Sequence, residues 1–399
     1  MKVLIINKNI GTGSVGKICE ELYFGLKNSG HECKVAYGVI NKSRIPDCDL
    51  FRFGDPISLR KNALMARIFD NDGFGAKQET KKLLRFVSDY SPDLIHIHGC
   101  YGYYINLEML INYAKTNGIY LVVTLHSCWD FTGHCCYFTK IGCEKWKKEC
   151  CHCPGKNSYP SSLVFDNSRK NFFAKKRLFE SLNRLTVVAP SRWMAALLGQ
   201  SFLKDARIEV IKNGIDLDRF KPTNCDLKKY GIASDKKIIL GVASVWDARK
   251  GLDDFIELAK CINEDYQIVL VGANDRRISR LAPNVISIRK TESKDELAAL
   301  YSSASVLFNP TYEDNYPTVN IESIACGTPV VTYDTGGSPE AVEDLKCGKV
   351  ILKKDYASLL AFVDNVAAKQ RLDIEKISEL SNRFMTEKYI DLFEKALAE

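Results

Sequence analysis

Carboxylates at Glu313 and Asp314 follow an apolar run that ends near Asn309, and a third, Glu322, lies about one turn into the helix that the pattern predicts next. Pro317 suits the first position of that helix. Backbone N–H groups at Thr318 and Val319 then point outward from a helix start, an arrangement that binds phosphate. A basic pair, Arg249–Lys250, stands in the turn "VWDARKGLDD". Such cations offset the charge that develops on a departing phosphate. His126 closes the apolar run "LVVTLH", and Gly11, Gly13 and Gly16 make the turn after the first run, "KVLIIN". A bare G-x-G-x-x-G also suits a dinucleotide fold, but that fold wants an acid at the end of the second strand, and "AYGVINKS" has none.

Seven of the 15 cysteines fall between Cys128 and Cys153. Cys135, Cys143, Cys150 and Cys153 read C-x7-C-x6-C-x2-C, and the closing C-x2-C is the knuckle spacing of structural zinc sites. Four thiolates would close the coordination sphere of a structural zinc, whose binding would supply folding energy to a loop poor in aliphatic residues. Cys136, Cys151, His134 and His152 are substitute ligands, and a set of reduced, partly buried cysteines is the alternative.

These groups need a scaffold. Short apolar strands alternate with amphipathic helical patterns, which predicts parallel α/β architecture. The pattern runs once from the first residues to "RIEVIKNGID" and restarts at "KIILGVAS", so two α/β units are expected. The cysteine-rich segment follows the strand that ends at His126. It is therefore an insertion at the strand's C-terminal end, the edge where open α/β sheets bind ligands.

The 399 residues suffice for two or three domains. Hydrophobic content of 46% and charged content of 26% are ordinary for a globular protein. No run approaches the roughly 20 apolar residues of a membrane span, and the opening residues read as a strand rather than a secretory leader. A cytoplasmic location follows as the expectation, where thiols stay reduced and disulfides are disfavoured. The net charge of +7 suits anionic small molecules, an anionic membrane surface or nucleic acid equally well.

The stretch from Val306 to Val342 resembles the signature of the retaining family 4 glycosyltransferases. Two acids there, Asp314 and Glu322, are separated by seven residues ahead of "GTPVV". The family usually has Glu where Asp314 stands, so Glu313 competes for the first acidic role. "GVASVWDARKGLDDF" is similar to a second family element. Lys250 matches its lysine, while Ser244 stands where the family has arginine, leaving Arg249 to supply that charge. "VIKNGIDLDRFKP" resembles the interdomain linker, and His126 and the glycine turn also match.

The resemblance implies a GT-B fold, two Rossmann-like domains facing across a cleft. The first is 1–212, carrying the insertion 128–153 and completed by a helix at 384–399; the second is 213–383. It implies a donor site of Gly13, Ser14, Arg249, Lys250, Glu313, Asp314, Asn315, Tyr316, Pro317, Thr318, Val319 and Glu322. His126, Lys250, Asp314 and Glu322 would act on a UDP- or GDP-linked sugar, with no catalytic metal. The acceptor hydroxyl would attack on the face that the leaving group vacates.

Tyr101, Tyr103 and Tyr104 near the same edge suit a glycan or lipid-linked acceptor. "SRKNFFAKKRLFESLNR" mixes basic and aromatic residues as an interfacial surface does, which suggests contact with the inner face of the cell membrane. Competing readings are a sugar-nucleotide epimerase of the same fold, an inactive homologue, and a zinc-containing nucleic-acid-binding protein. The acidic pair beside a phosphate-type helix start argues against the last, and no nucleic acid is expected as a partner.

Overall fold

A computed structural model describes residues 1–224, 230–232, 235–273, 285–365 and 374–399. The chain divides into two units, Met1–Lys212 with Met385–Glu399, and Asn213–Phe384.

The first unit is built on seven parallel strands: β1 (Lys2–Ile10), β2 (Glu32–Asn41), β3 (Leu50–Arg52), β4 (Leu94–His98), β5 (Tyr120–Thr124), β6 (Leu185–Ala189) and β7 (Arg207–Val210). Every residue of β4, β5 and β6 is buried. That follows from continuous apolar runs with helices covering both faces of a parallel sheet. The order is β3-β2-β1-β4-β5-β6-β7. It reverses between β1 and β4, and a crevice opens at the C-terminal ends of strands where such a reversal occurs. Tyr389, Leu392 and Phe393 of the last helix pack with Val3, Ile5, Leu22 and Val122 in one core cluster.

The second unit carries β8 (Lys237–Val242), β9 (Tyr266–Val271), β10 (Val285–Ile288), β11 (Val306–Asn309), β12 (Val330–Tyr333) and β13 (Gly348–Ile351), all parallel. Their order is β10-β9-β8-β11-β12-β13, with the reversal between β8 and β11. At the start of this unit Ile215 pairs with Ser381, its N–H donating to the Leu380 carbonyl at 2.8 Å.

Two expectations are corrected here. In the helix Ser168–Glu180, Phe172 and Phe179 are buried and Lys175 is wholly inaccessible. This helix turns its aromatic face into the core, so it is not the interfacial surface read from its composition. The insertion has no aliphatic core, as expected, but it has an aromatic one. Phe138 stacks on Trp146 at 4.7 Å between ring centroids, and Phe131 meets Trp146 edge-on at 5.4 Å. All three belong to the main core of the unit.

Candidate active site

In the first unit, the ends of β1 and β4 and the turn after β1 enclose a cavity of about 220 Å³. Asn7, Lys8, Asn9, Thr12–Gly16, His98, Gly99, Tyr101, His126 and Tyr159 line it. It sits at the strand-order reversal, which is why residues distant in sequence converge there. Gly11 is required by close packing. Its φ is +69°, and a Cβ would lie 2.4 Å from the Lys42 and Ser43 backbone.

His126 follows β5 and His98 ends the adjacent β4, so parallel pairing sets the two rings side by side. His98 Nδ1 is 3.0 Å from His126 Nε2. Behind them, His96 Nε2 is 2.8 Å from Thr124 Oγ1, which is 3.0 Å from the Tyr389 hydroxyl. Burial depresses all three histidines, His126 to about 4, His96 to about 3 and His98 well below the usual imidazole range. They are neutral at pH 7, so His126 offers hydrogen bonds and not a charge.

The tyrosines divide. Tyr101 lines the cavity. Tyr103 lies beside it, edge-on to Tyr159 at 6.2 Å, with Lys8 Nζ 5.7 Å from its ring centroid. Tyr104 is a correction to the acceptor set. It is 2% exposed, donates its hydroxyl to the Gly99 carbonyl at 2.8 Å, and is a core residue. The buried Asp72 carboxylate accepts from the backbone N–H groups of Gly102, at 2.9 Å, and Tyr103, at 2.8 Å, and so shapes this turn. Burial lowers the Lys8 ammonium pKa, and Asp72 opposes that shift.

In the second unit the loops after β8 and β11 meet, again at the reversal. Lys250 Nζ bonds Asp314 Oδ2 across them. Arg249 donates to the Glu313 carbonyl at 3.0 Å, and its own carbonyl accepts from Tyr312 N–H at 2.8 Å. Arg249 therefore braces the acidic loop. The Glu313 residue is buried, while Asp314 and Glu322 are half-buried. The helix Thr318–Ala325 starts one residue later than Pro317 predicts, with Pro317 at the cap in extended geometry (φ −68°, ψ 121°). Asn315, Tyr316 and Pro317 are buried, whereas Thr318 and Val319 stay partly accessible at the helix opening. Glu322 Oε2 accepts from the buried Tyr301 hydroxyl at 2.9 Å.

Two further contacts support the loop. The linker residue Asn213 donates to the Tyr316 carbonyl at 3.1 Å, and Gly337 N–H donates to the Asp314 carbonyl at 3.1 Å. Gly336 has φ +58°, and a Cβ there would lie 2.1 Å from the Asp314 carbonyl oxygen.

A profile of Glycosyltransferase Family 4 matches residues 15–219, and one of glycosyl transferases group 1 matches residues 224–388. The chain belongs to glycosyltransferase family 4. The glycosyltransferase WcaC of Escherichia coli K12, ascribed to colanic acid biosynthesis, is 22% identical over 377 residues, 90% of this chain and 89% of WcaC. Sucrose-phosphate synthase from Thermosynechococcus elongatus superposes with a TM-score of 0.70 at 17% identity, covering 100% of this chain and 99% of that one. Anabaena Alr3699/HepE, solved in complex with UDP, gives 0.66 at 14% identity, covering 99% and 100%. These likenesses establish the GT-B fold for this glycosyltransferase.

The glycosyltransferase also holds its cysteine cluster in one place. Cys135, Cys143, Cys150 and Cys153 line a single cavity of about 10 Å³ together with His134 and Cys151. The Cys135 and Cys153 sulfurs are 3.4 Å apart, and Gly133 N–H reaches Cys150 Sγ at 3.2 Å. Even so, among the described residues no three His, Cys, Asp or Glu side chains stand in geometry that would hold a metal ion. Tyr137, within the insertion, donates its hydroxyl to the His126 carbonyl at 3.0 Å, tying this region to the cavity wall. The sequence reading missed Lys8, His98 and Tyr159. His98 was findable, since it ends a buried strand at the ligand edge just as His126 does.

Proposed function

We propose that this glycosyltransferase moves a sugar, with retention of anomeric configuration, from a nucleotide-diphosphate sugar to a hydroxyl of a lipid-linked glycan in cell-surface polysaccharide synthesis. The observation that carries the reading is the Lys250–Asp314 pair, set beside the opening of the helix Thr318–Ala325. When donor binds, Lys250 exchanges Asp314 for the diphosphate, and Asp314 turns to the sugar hydroxyls. Asp314 takes this role over Glu313, which is buried. Glu322, oriented by Tyr301, accepts from the ribose hydroxyls.

In the step itself the acceptor oxygen bonds to the anomeric carbon as the carbon–phosphate oxygen bond breaks. The proton passes to the departing phosphate. The protein contributes positioning and charge stabilisation. The UDP held by HepE supports a uridine donor. The first-unit cavity suits the acceptor. Tyr101 and Tyr159 offer sugar-stacking faces, and Lys8 suits the phosphate of a lipid carrier. His126 as a hydrogen-bonding group toward the transferred sugar is part of the same proposal.

The test is incubation of the purified chain with a panel of UDP- and GDP-sugars and a lipid-linked acceptor extract. Mass spectrometry should show acceptor mass increased by one sugar, and NMR should show the donor's anomeric configuration retained. An isomerised sugar nucleotide with no transfer would establish the epimerase instead.

A structural zinc at Cys135, Cys143, Cys150 and Cys153 belongs to the same proposal. The shared cavity, near the size of one water, and the N–H bond to Cys150 support it. The ion would have to draw the thiols inward. Metal analysis of protein purified without a metal-affinity column should find about one zinc per chain. Metal-free, fully folded protein would remove it.

A further inference from the structure

The helix Pro56–Phe69 buries only Ala66 among its 14 residues. Ile57 and Leu64 are 79% and 58% exposed, and Met65 and Phe69 are also exposed. The helix carries Arg60, Lys61 and Arg67 and has no acidic residue. A second segment extends this face. Leu163 N–H donates to the Arg67 carbonyl at 2.7 Å and Phe165 N–H to the Ile68 carbonyl at 3.0 Å. Phe165 stacks on Phe69 with 5.6 Å between centroids. Leu163, Val164 and Phe165 are all more than half exposed. An apolar patch made from several side chains on two elements is unusual for a free surface and marks an interaction site.

We infer that this face, the helix Pro56–Phe69 with the segment Leu163–Phe165, docks on an anionic lipid bilayer. The charge decides the occupant. Bulky apolar side chains among Lys and Arg, with acids absent from the helix, match an interfacial helix on anionic lipid. A second copy of this chain using the same patch would set like charges against like. The placement is consistent with a lipid-linked acceptor. The segment Tyr159–Phe165 runs from the cavity wall, where Tyr159 stands, to the exposed helix, with Ser162 bonding both the Arg67 and Phe165 carbonyls. Docking there brings the acceptor cavity to the bilayer, an implication that rests on the proposed acceptor class; the docking itself does not.

The test is sedimentation of the full chain with phosphatidylcholine vesicles, with and without roughly one-quarter phosphatidylglycerol. We expect retention on the anionic vesicles that weakens with salt. The variant R60Q/K61Q/R67Q should lose about 100-fold in partitioning, as expected for three cations near such a surface. The variant L163S/V164S should lose retention while keeping the wild-type melting temperature, since both residues are exposed.

Equal retention on neutral and anionic vesicles, no retention, or variants that bind as wild type would overturn the inference. So would concentration-dependent self-association that these variants abolish, which would assign the patch to a second copy. Because binding is read without donor or acceptor, vesicle retention without sugar transfer would reject only the proposed function. Transfer without retention would reject only the docking.

Discussion

His98 Nδ1 lies 3.0 Å from His126 Nε2, with the two rings 16° from parallel. His98 is neutral, so it carries one ring proton. Its Nε2 is buried with no hydrogen-bond partner among the described residues. A buried orphan N–H is rarer than an orphan acceptor, which places the proton on Nδ1, donated to His126. His126 then carries its own proton on Nδ1. Nitrogen NMR of the full chain should show that tautomer. His98→Phe should shift His126 toward Nε2–H and lower kcat by about 10- to 100-fold with donor KM little changed. His98→Asn, which restores a donor N–H, should recover most of both. An unchanged tautomer in His98→Phe would end the argument.

The same histidines set a pH dependence. Their folded values lie below the roughly 6.5 of an unfolded chain, at about 4 for His126 and about 3 for His96. As pH falls below about 6.5 the unfolded chain takes up protons that the folded chain refuses. Stability should therefore drop through that window, by up to about 1.4 kcal/mol per pH unit for each histidine. Asp130, raised to about 6 by burial, acts with the opposite sign as pH rises from about 4 toward 6. Titration of the His126 ring followed by NMR separates the two effects, and a midpoint near 6.5 would contradict the burial seen here.

Lys250 and Asp314 hold one another while Glu322 is held by Tyr301. Lys250→Met should lower kcat by about 10²- to 10³-fold, the usual cost of losing a group that stabilises a leaving oxyanion. Glu322→Gln should act mainly on donor KM, by about 10- to 100-fold, for the loss of a charge-assisted hydrogen bond. Wild-type kinetics in either variant would remove that residue from the site.

Gly336 touches no proposed substrate, yet its α-carbon faces the Asp314 carbonyl too closely for a side chain. Gly336→Ala should displace Asp314 and reduce turnover by about 100-fold, the scale of a misplacement near 1 Å. Circular dichroism should remain that of the folded protein. An active Gly336→Ala enzyme would show that the loop tolerates the shift.

Much of this protein is decided by local sequence. Short apolar runs such as Leu121–Val123, rich in β-branched residues, read as strands buried on both faces, and their alternation with helical periodicity predicts two parallel α/β units. Pro317 and the acids Asp314 and Glu322 mark a helix start whose chemistry is legible one residue at a time. Strand order is not local. The reversals between β1 and β4 and between β8 and β11 depend on which edges pair in three dimensions. Those reversals bring Lys8 to His98 and Lys250 to Asp314. Burial was equally hidden. Lys175 and Tyr104 look like surface chemistry in the sequence and are core, while Ile57 and Leu163 look like core and face outward. Composition states how much apolar surface a segment has, and only the packing of its neighbours decides how much of it is covered.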